Sequence, residues 1–300
     1  MWSRREVLQL GALGTLTALA TPALAKDSVK LITRPIPSTG EQLPAIGLGS
    51  YQTFDVTDAS KVRPVLARFL ELGGRVVDSS PMYGRAEAAI GEMLEELRKG
   101  DVVVPEPWLA TKVWTTGKRE GIAQMTTSMQ RLVGRVELMQ IHNLVDWKTQ
   151  LATLRAWKTA GKIKYLGITH YGSLDQLEQV VRAEKLDFVQ LPYSIVERGA
   201  EKRLLPACAE HGCAVLVMEP FAKGALFAKV KGKAVPGVAS ELGCTSWAQL
   251  FLKFLLAHPA VTCPIPATSK VPHVEDNLGA MRGTVPTAAQ RDAIVAAFKR

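Results

Sequence analysis

Short apolar runs recur along the chain near residues 46–49, 75–78, 108–113, 136–141, 163–168, 187–191, 213–218 and 261–265. Runs of this length, rich in Val, Ile and Leu, are the signal of strands buried on both faces. Between them apolar residues return at helical spacing near 58–72, 85–99, 118–133, 146–160, 173–184, 201–211, 247–257 and 287–298. Eight strands alternating with eight helices predict an α/β protein, a (β/α)8 barrel. Helix ends agree. Asp58 can cap one start, and Ser173 another with Gln176 at the capping-box position. Gly73-Gly74 and Gly161 mark helix stops. Ahead of the alternation, Val29–Ile46 reads as a hairpin: Leu31-Ile32, a turn at Pro37-Ser38-Thr39-Gly40, then Leu43–Ile46. The longest irregular stretch is Ala222–Thr245, which reads either as a solvated loop or as a flap over a ligand.

The first residues follow a different rule. Arg4-Arg5 precede a modestly apolar stretch, Leu8–Leu19, and Ala23-Leu24-Ala25 has the small-x-small form of a cleavage site. The apolar stretch falls short of the roughly 18 residues a membrane span needs. Twin arginines in this setting resemble a bacterial twin-arginine export signal. The expectation is a signal peptide over residues 1–25, a single barrel domain over 26–300, transit through the twin-arginine machinery and a periplasmic address in a bacterium.

Composition narrows the partners. Apolar residues make up 47% and charged residues 22% of the 300, ordinary for a globular enzyme. The formal charge is +9, but the basic residues are dispersed, so a local anion site is expected and nucleic acid is not. Cys208, Cys213, Cys244 and Cys263 form no CxxC pair and read as core residues. An oxidising compartment would permit a disulfide.

Four chemical groups fall just at or past strand ends. Asp78 and Tyr83 lie in Asp78-Ser79-Ser80-Pro81-Met82-Tyr83-Gly84, Lys112 ends the run from Trp108, and His142 ends the run from Val136. In a parallel barrel these ends converge on one face. A phenol is too weak an acid at neutral pH, with a pKa of about 10. A lysine ammonium beside it is expected to lower that value, and Asp78 to keep Lys112 placed and charged. His142 is expected to donate a hydrogen bond to a carbonyl oxygen. Together these groups suit proton delivery to a carbonyl with stabilisation of the alkoxide that forms. A metal site is a poorer reading, because Lys112 would repel the ion beside His142, His170 and Asp78. The Rossmann dinucleotide fingerprint is missing its third glycine, since position 52 is Gln.

Taken in order, these residues resemble the aldo-keto reductases over essentially the whole chain after residue 25. Asp78, Tyr83, Lys112 and His142 match that family's catalytic tetrad, and Gly47-Leu48-Gly49-Ser50-Tyr51 its first-strand turn. The resemblance implies an NAD(P)H-dependent reductase of aldehydes and ketones. It implies cofactor contacts from Gly49, Ser50 and Tyr51, from Thr169, His170 and Gln190 around the nicotinamide carboxamide, and from Met218 or Phe221 against its ring. Thr268, Ser269 and Lys270 would bind the 2′-phosphate at the adenosine end, where His273 stands in place of a frequent Arg, and Asn277 would contact the adenine. Lys270 and the positive net charge favour NADP(H), with NAD(H) the alternative. Tyr51, Met82 and Trp114 would line the pocket for a small carbonyl substrate. The chain is expected to be monomeric. A second reading stays open, a nucleotide-binding redox sensor or auxiliary subunit with little turnover.

Overall fold

Two short antiparallel strands, β1 (Thr33–Pro35) and β2 (Gln42–Pro44), come first among the described residues. The computed structural model describes residues 30–100 and 104–300, so the expected signal segment lies outside the described residues. Eight parallel strands follow: β3 (Leu48–Gly49), β4 (Val76–Asp78), β5 (Trp108–Val113), β6 (Leu138–Ile141), β7 (Tyr165–Thr169), β8 (Phe188–Pro192), β9 (Ala214–Met218) and β10 (Val261–Pro264). They pair in sequence order, each with the next. The sheet closes where Gly47 N–H donates to the Pro264 carbonyl at 2.9 Å and Gly49 N–H to that of Pro266 at 3.1 Å. Closure explains Gly49, since a Cβ there would stand 2.8 Å from the Ile265 carbonyl oxygen. The expected (β/α)8 barrel is thus the observed one.

Helices α1 (Arg63–Glu71), α2 (Ala86–Lys99), α3 (Lys118–Arg131), α4 (Trp147–Thr159), α5 (Leu174–Ala183) and α6 (Leu204–Glu210) surround the strands in the expected alternation. Ser173 caps α5 by accepting from the Gln176 N–H at 3.2 Å. Asp58 caps only a 3₁₀ turn, Ala59–Lys61, ahead of α1.

The barrel has one plugged end. Val76, Trp108, Leu138, Tyr165, Phe188 and Ala214 are the first residues of their strands, and all join Ile36 and Leu43 of the hairpin in one buried cluster. The Trp108, Tyr165 and Phe188 rings stack at centroid distances of 5.4 to 5.8 Å. Tyr165 closes the plug by donating to Glu41 Oε2 at 2.6 Å. Chemistry is therefore left to the opposite, carboxyl-terminal mouth.

Three expectations need correction. The first hairpin strand starts at Thr33, two residues later than Leu31. The irregular stretch Ala222–Thr245 contains α7 (Ala225–Val230) and α8 (Val238–Glu241), which bury Leu226, Val230 and Ala239. Both helices run to fewer than two turns, too short for a helical period to announce them in sequence. The helix after β10 is α10 (Val271–Gly279), which packs against α1 and completes the ring. The helix expected to do so, α11 (Ala288–Lys299), is instead an addition packed on α9 (Trp247–Leu256). All four cysteines are buried and free. No helix among the described residues is long and apolar enough to cross a membrane.

Candidate active site

A cleft of about 780 Å³ opens at the carboxyl-terminal mouth. Asp78 and His142, at two strand ends, line its floor, and Lys112 lies behind them. Asp78 is the last residue of β4, Lys112 lies next to last in β5, and His142 follows β6. Tyr83 reaches in from the turn after β4 and lies half-buried over them. Lys112 is completely buried, directly beneath the cleft. Its Nζ donates to Asp78 Oδ2 at 2.6 Å and to the Ser79 carbonyl at 2.7 Å, and lies 4.9 Å from the Tyr83 ring centroid. The four residues read from sequence are one constellation.

Their electrostatics differ from expectation at one point. Burial pushes the Tyr83 phenol above its ordinary value, and Lys112 pulls it only part of the way back. The expected net lowering is therefore replaced by a net rise, because desolvation of the phenolate outweighs one cation. Tyr83 holds its proton throughout the neutral range. Burial alone would discharge Lys112, but Asp78 reverses that and the ammonium is favoured. Burial, helped by Lys112, pulls His142 down to about 3. A neutral imidazole therefore faces the cleft at any physiological pH. Its ring meets Tyr83 edge-on at 5.8 Å.

Sequence reading missed Gln140. Its Nε2 donates to Asp78 Oδ1 at 3.0 Å, so both carboxylate oxygens are occupied and the Asp78–Lys112 pair is fixed from two sides. Gln140 precedes His142 by two positions on the same strand side, and a polar residue between the apolar Met139 and Ile141 was the available signal. Left-handed backbone also clusters here. Asn143, Leu144 and Asp146 follow His142 at φ of 53°, 55° and 46°, and Glu219, Ala222 and Lys223 follow β9 at 54°, 47° and 55°. Non-glycine residues held this way mark loops that the surrounding structure over-determines. Asp146 anchors the first loop by accepting from Gly117 N–H at 2.8 Å.

The expected cofactor residues divide into groups. Gly49, Ser50, Tyr51, Gln190, Met218 and Phe221 line the cleft, as does Met82. Trp114 stands exposed at the rim, its ring 6.5 Å from that of His142. Thr169 ends β7 and is buried. Thr169 Oγ1 and Gln190 Nε2 are buried without partners, a donor set that fits a carboxamide. His170 does not line the cleft, and its Nδ1 accepts from the Gly172 and Ser173 N–H groups at 2.8 and 3.3 Å. The cleft wall ends at Ala267, so Thr268, Ser269 and Lys270, which lead into α10, and His273 and Asn277 within it are absent from the cleft lining. There Thr268 Oγ1 accepts from Lys270 N–H at 3.1 Å and lies 3.3 Å from His273 Nδ1. Glu219 and Lys223, also in the cleft wall, pair at 3.3 Å. No cluster of metal-ligating side chains occurs among the described residues.

A buried acid–lysine pair beneath a protonated phenol and a neutral imidazole, at the open mouth of a parallel barrel, is equipment for delivering a proton to a polar double bond. The chain belongs to the aldo/keto reductase family, whose sequence profile matches residues 45–296. It is 28% identical over 246 residues to the methylglyoxal reductase YeaE of Escherichia coli strain K12, covering 78% of this chain and 84% of that protein. It is 26% identical over 200 residues to the NADH-specific methylglyoxal reductase of the same organism, covering 56% and 58% of the two chains. Its fold superposes on the aldo/keto reductase from Klebsiella pneumoniae in complex with NADP and acetate, with a TM-score of 0.71 and 23% identity over 86% of this chain and 93% of that one.

Proposed function

We propose that the chain reduces small aldehydes and ketones to alcohols with NAD(P)H, and that Tyr83 gives the proton. The observation that carries the reading is Lys112, fully buried between the Asp78 carboxylate and the Tyr83 ring. A bound nicotinamide supplies the hydride. The protein's own residues do the rest. Neutral His142 orients the carbonyl oxygen by donating a hydrogen bond. Tyr83 transfers its phenolic proton to that oxygen as negative charge builds there. Lys112 stabilises the phenolate left behind, and Asp78, held by Gln140, keeps the ammonium in place.

Cofactor binding follows from the unpaired groups. Gln190 and Thr169 would take the carboxamide. Met218 and Phe221, both in the cleft wall, would cover the ring. Lys270 with the hydroxyls of Thr268 and Ser269 suits a 2′-phosphate, which favours NADP(H) over NAD(H). Tyr51, Met82 and Trp114, all exposed at the mouth, suit an apolar or modestly polar carbonyl compound. Methylglyoxal enters the first substrate panel because two relatives are named for its reduction. The test is oxidation of NADPH by the chain with that panel. Turnover of any member supports the reading; binding of NADPH with no turnover of any aldehyde or ketone refutes it and favours the nucleotide-binding auxiliary role.

Export is the second part of the proposal. Arg4-Arg5, the apolar stretch after them and Ala23-Leu24-Ala25 support cleavage after residue 25 and a periplasmic product. Arg4→Lys with Arg5→Lys should retain the chain, uncleaved, in the cytoplasm. Unchanged fractionation would reject the twin-arginine route.

A further inference from the structure

Ser80, in the turn that runs from Asp78 to Tyr83, is fully buried, and its hydroxyl has a specific pair of neighbours. Its Oγ accepts from the Met82 N–H at 3.3 Å and lies 2.9 Å from His142 Nδ1. The Met82 amide can only donate. The hydroxyl proton therefore has one acceptor among the described residues, His142 Nδ1. The reverse arrangement, with Nδ1–H donating to Oγ, would leave a buried hydroxyl proton without a partner. That penalty corresponds to roughly a ten- to hundredfold bias in population. A neutral imidazole carries one proton, so it must then sit on Nε2.

We propose that Ser80 is a positioning residue that locks His142 in its Nε2-protonated tautomer, leaving that N–H as the donor for the cleft. The ring is held from its other sides by Tyr83, edge-on at 5.8 Å, and by Trp114 at 6.5 Å. A ring flip would break the Ser80 bond without replacing it. Burial beside Lys112 keeps the imidazole neutral, so the tautomer and not the charge is what remains to be set. The unlocked ring would present a bare Nε2 lone pair to the substrate oxygen, which repels it. The effect on catalysis rests on the carbonyl-reduction reading; the tautomer assignment does not.

The experiment is nitrogen NMR of the full chain labelled at its five histidines. His142→Gln identifies the His142 signals. The expected wild-type pattern at neutral pH is an unprotonated Nδ1 and a protonated Nε2. Ser80→Ala is expected to mix the tautomers and to lower kcat by about tenfold, with NADPH affinity unchanged. Ser80→Thr, which keeps the hydroxyl, is expected to retain both the tautomer and kcat. A wild-type His142 protonated on Nδ1 would overturn the assignment, as would a Ser80→Ala chain with the wild-type pattern. Should Ser80→Ala fail to fold, the wild-type spectrum decides alone. A locked tautomer in a chain inactive on every carbonyl would leave the Ser80 assignment standing and sink the reductase reading.

Discussion

Lys112→Met tests the electrostatic core of the site, and its size can be worked from the geometry. Lys112 Nζ lies 4.9 Å from the Tyr83 ring centroid. At an effective dielectric of about 20, a unit charge at that separation is worth about 3 kcal/mol to the phenolate, or roughly two orders of magnitude in rate. Stability falls as well. Asp78 is buried, and without Lys112 its carboxylate keeps only the Gln140 amide among its side-chain partners. Breaking a buried pair from one side costs about 3–5 kcal/mol. The two effects separate in a cycle. Adding Asp78→Asn to Lys112→Met removes the stranded charge, so the double variant should melt above the single one while remaining at least a hundredfold down in kcat, to order of magnitude. The assays are thermal melting and the absorbance of reduced nicotinamide with a good aldehyde substrate. Turnover within about threefold of wild type in Lys112→Met would refute the electrostatic argument, since the calculated loss is far larger. A double variant no more stable than the single one would refute the stranded-carboxylate account.

The remaining predictions concern pH and cofactor choice. Tyr83 must be protonated to act and its pKa is raised, so reduction should stay flat through neutrality and fall only as pH rises past the ordinary phenol value. His142 is neutral above about 3, so the profile should show no inflection near the usual imidazole value; one that vanished in His142→Gln would contradict this. A folded value below the unfolded 6.5 favours the neutral form in the native state. That contribution is present above 6.5 and is lost as pH falls towards 3, costing a few kcal/mol that acid melting of wild type against His142→Gln should reveal. Lys270→Ala should raise KM for NADPH by about tenfold and leave that for NADH unchanged; equal effects on both would dissociate Lys270 from the 2′-phosphate.

What was legible in the sequence was what local signals carry. Asp78, Lys112 and His142 announce themselves as polar groups at the ends of apolar runs, and barrel geometry then forces them together. Gln140 and Ser80 were not singled out, because their meaning lies in neighbours 62 positions away, Asp78 and His142 respectively. Helix α10 is hidden in the sequence because Pro272 in its first turn reads as a loop residue unless the helix start is known. The direction of the Tyr83 shift was also beyond the sequence. Lys112 was visible as a neighbouring cation, but only the folded cleft shows how strongly burial opposes it.

Tyr83→Phe tests the central claim most directly. The change removes one oxygen from a half-buried ring and leaves the Asp78–Lys112 pair in place. Measured beside wild type with NADPH and a reducible aldehyde, it should lose turnover by at least a hundredfold, to order of magnitude, while still binding NADPH by fluorescence. Turnover close to wild type would mean that the proton comes from another group and that the site assignment is wrong.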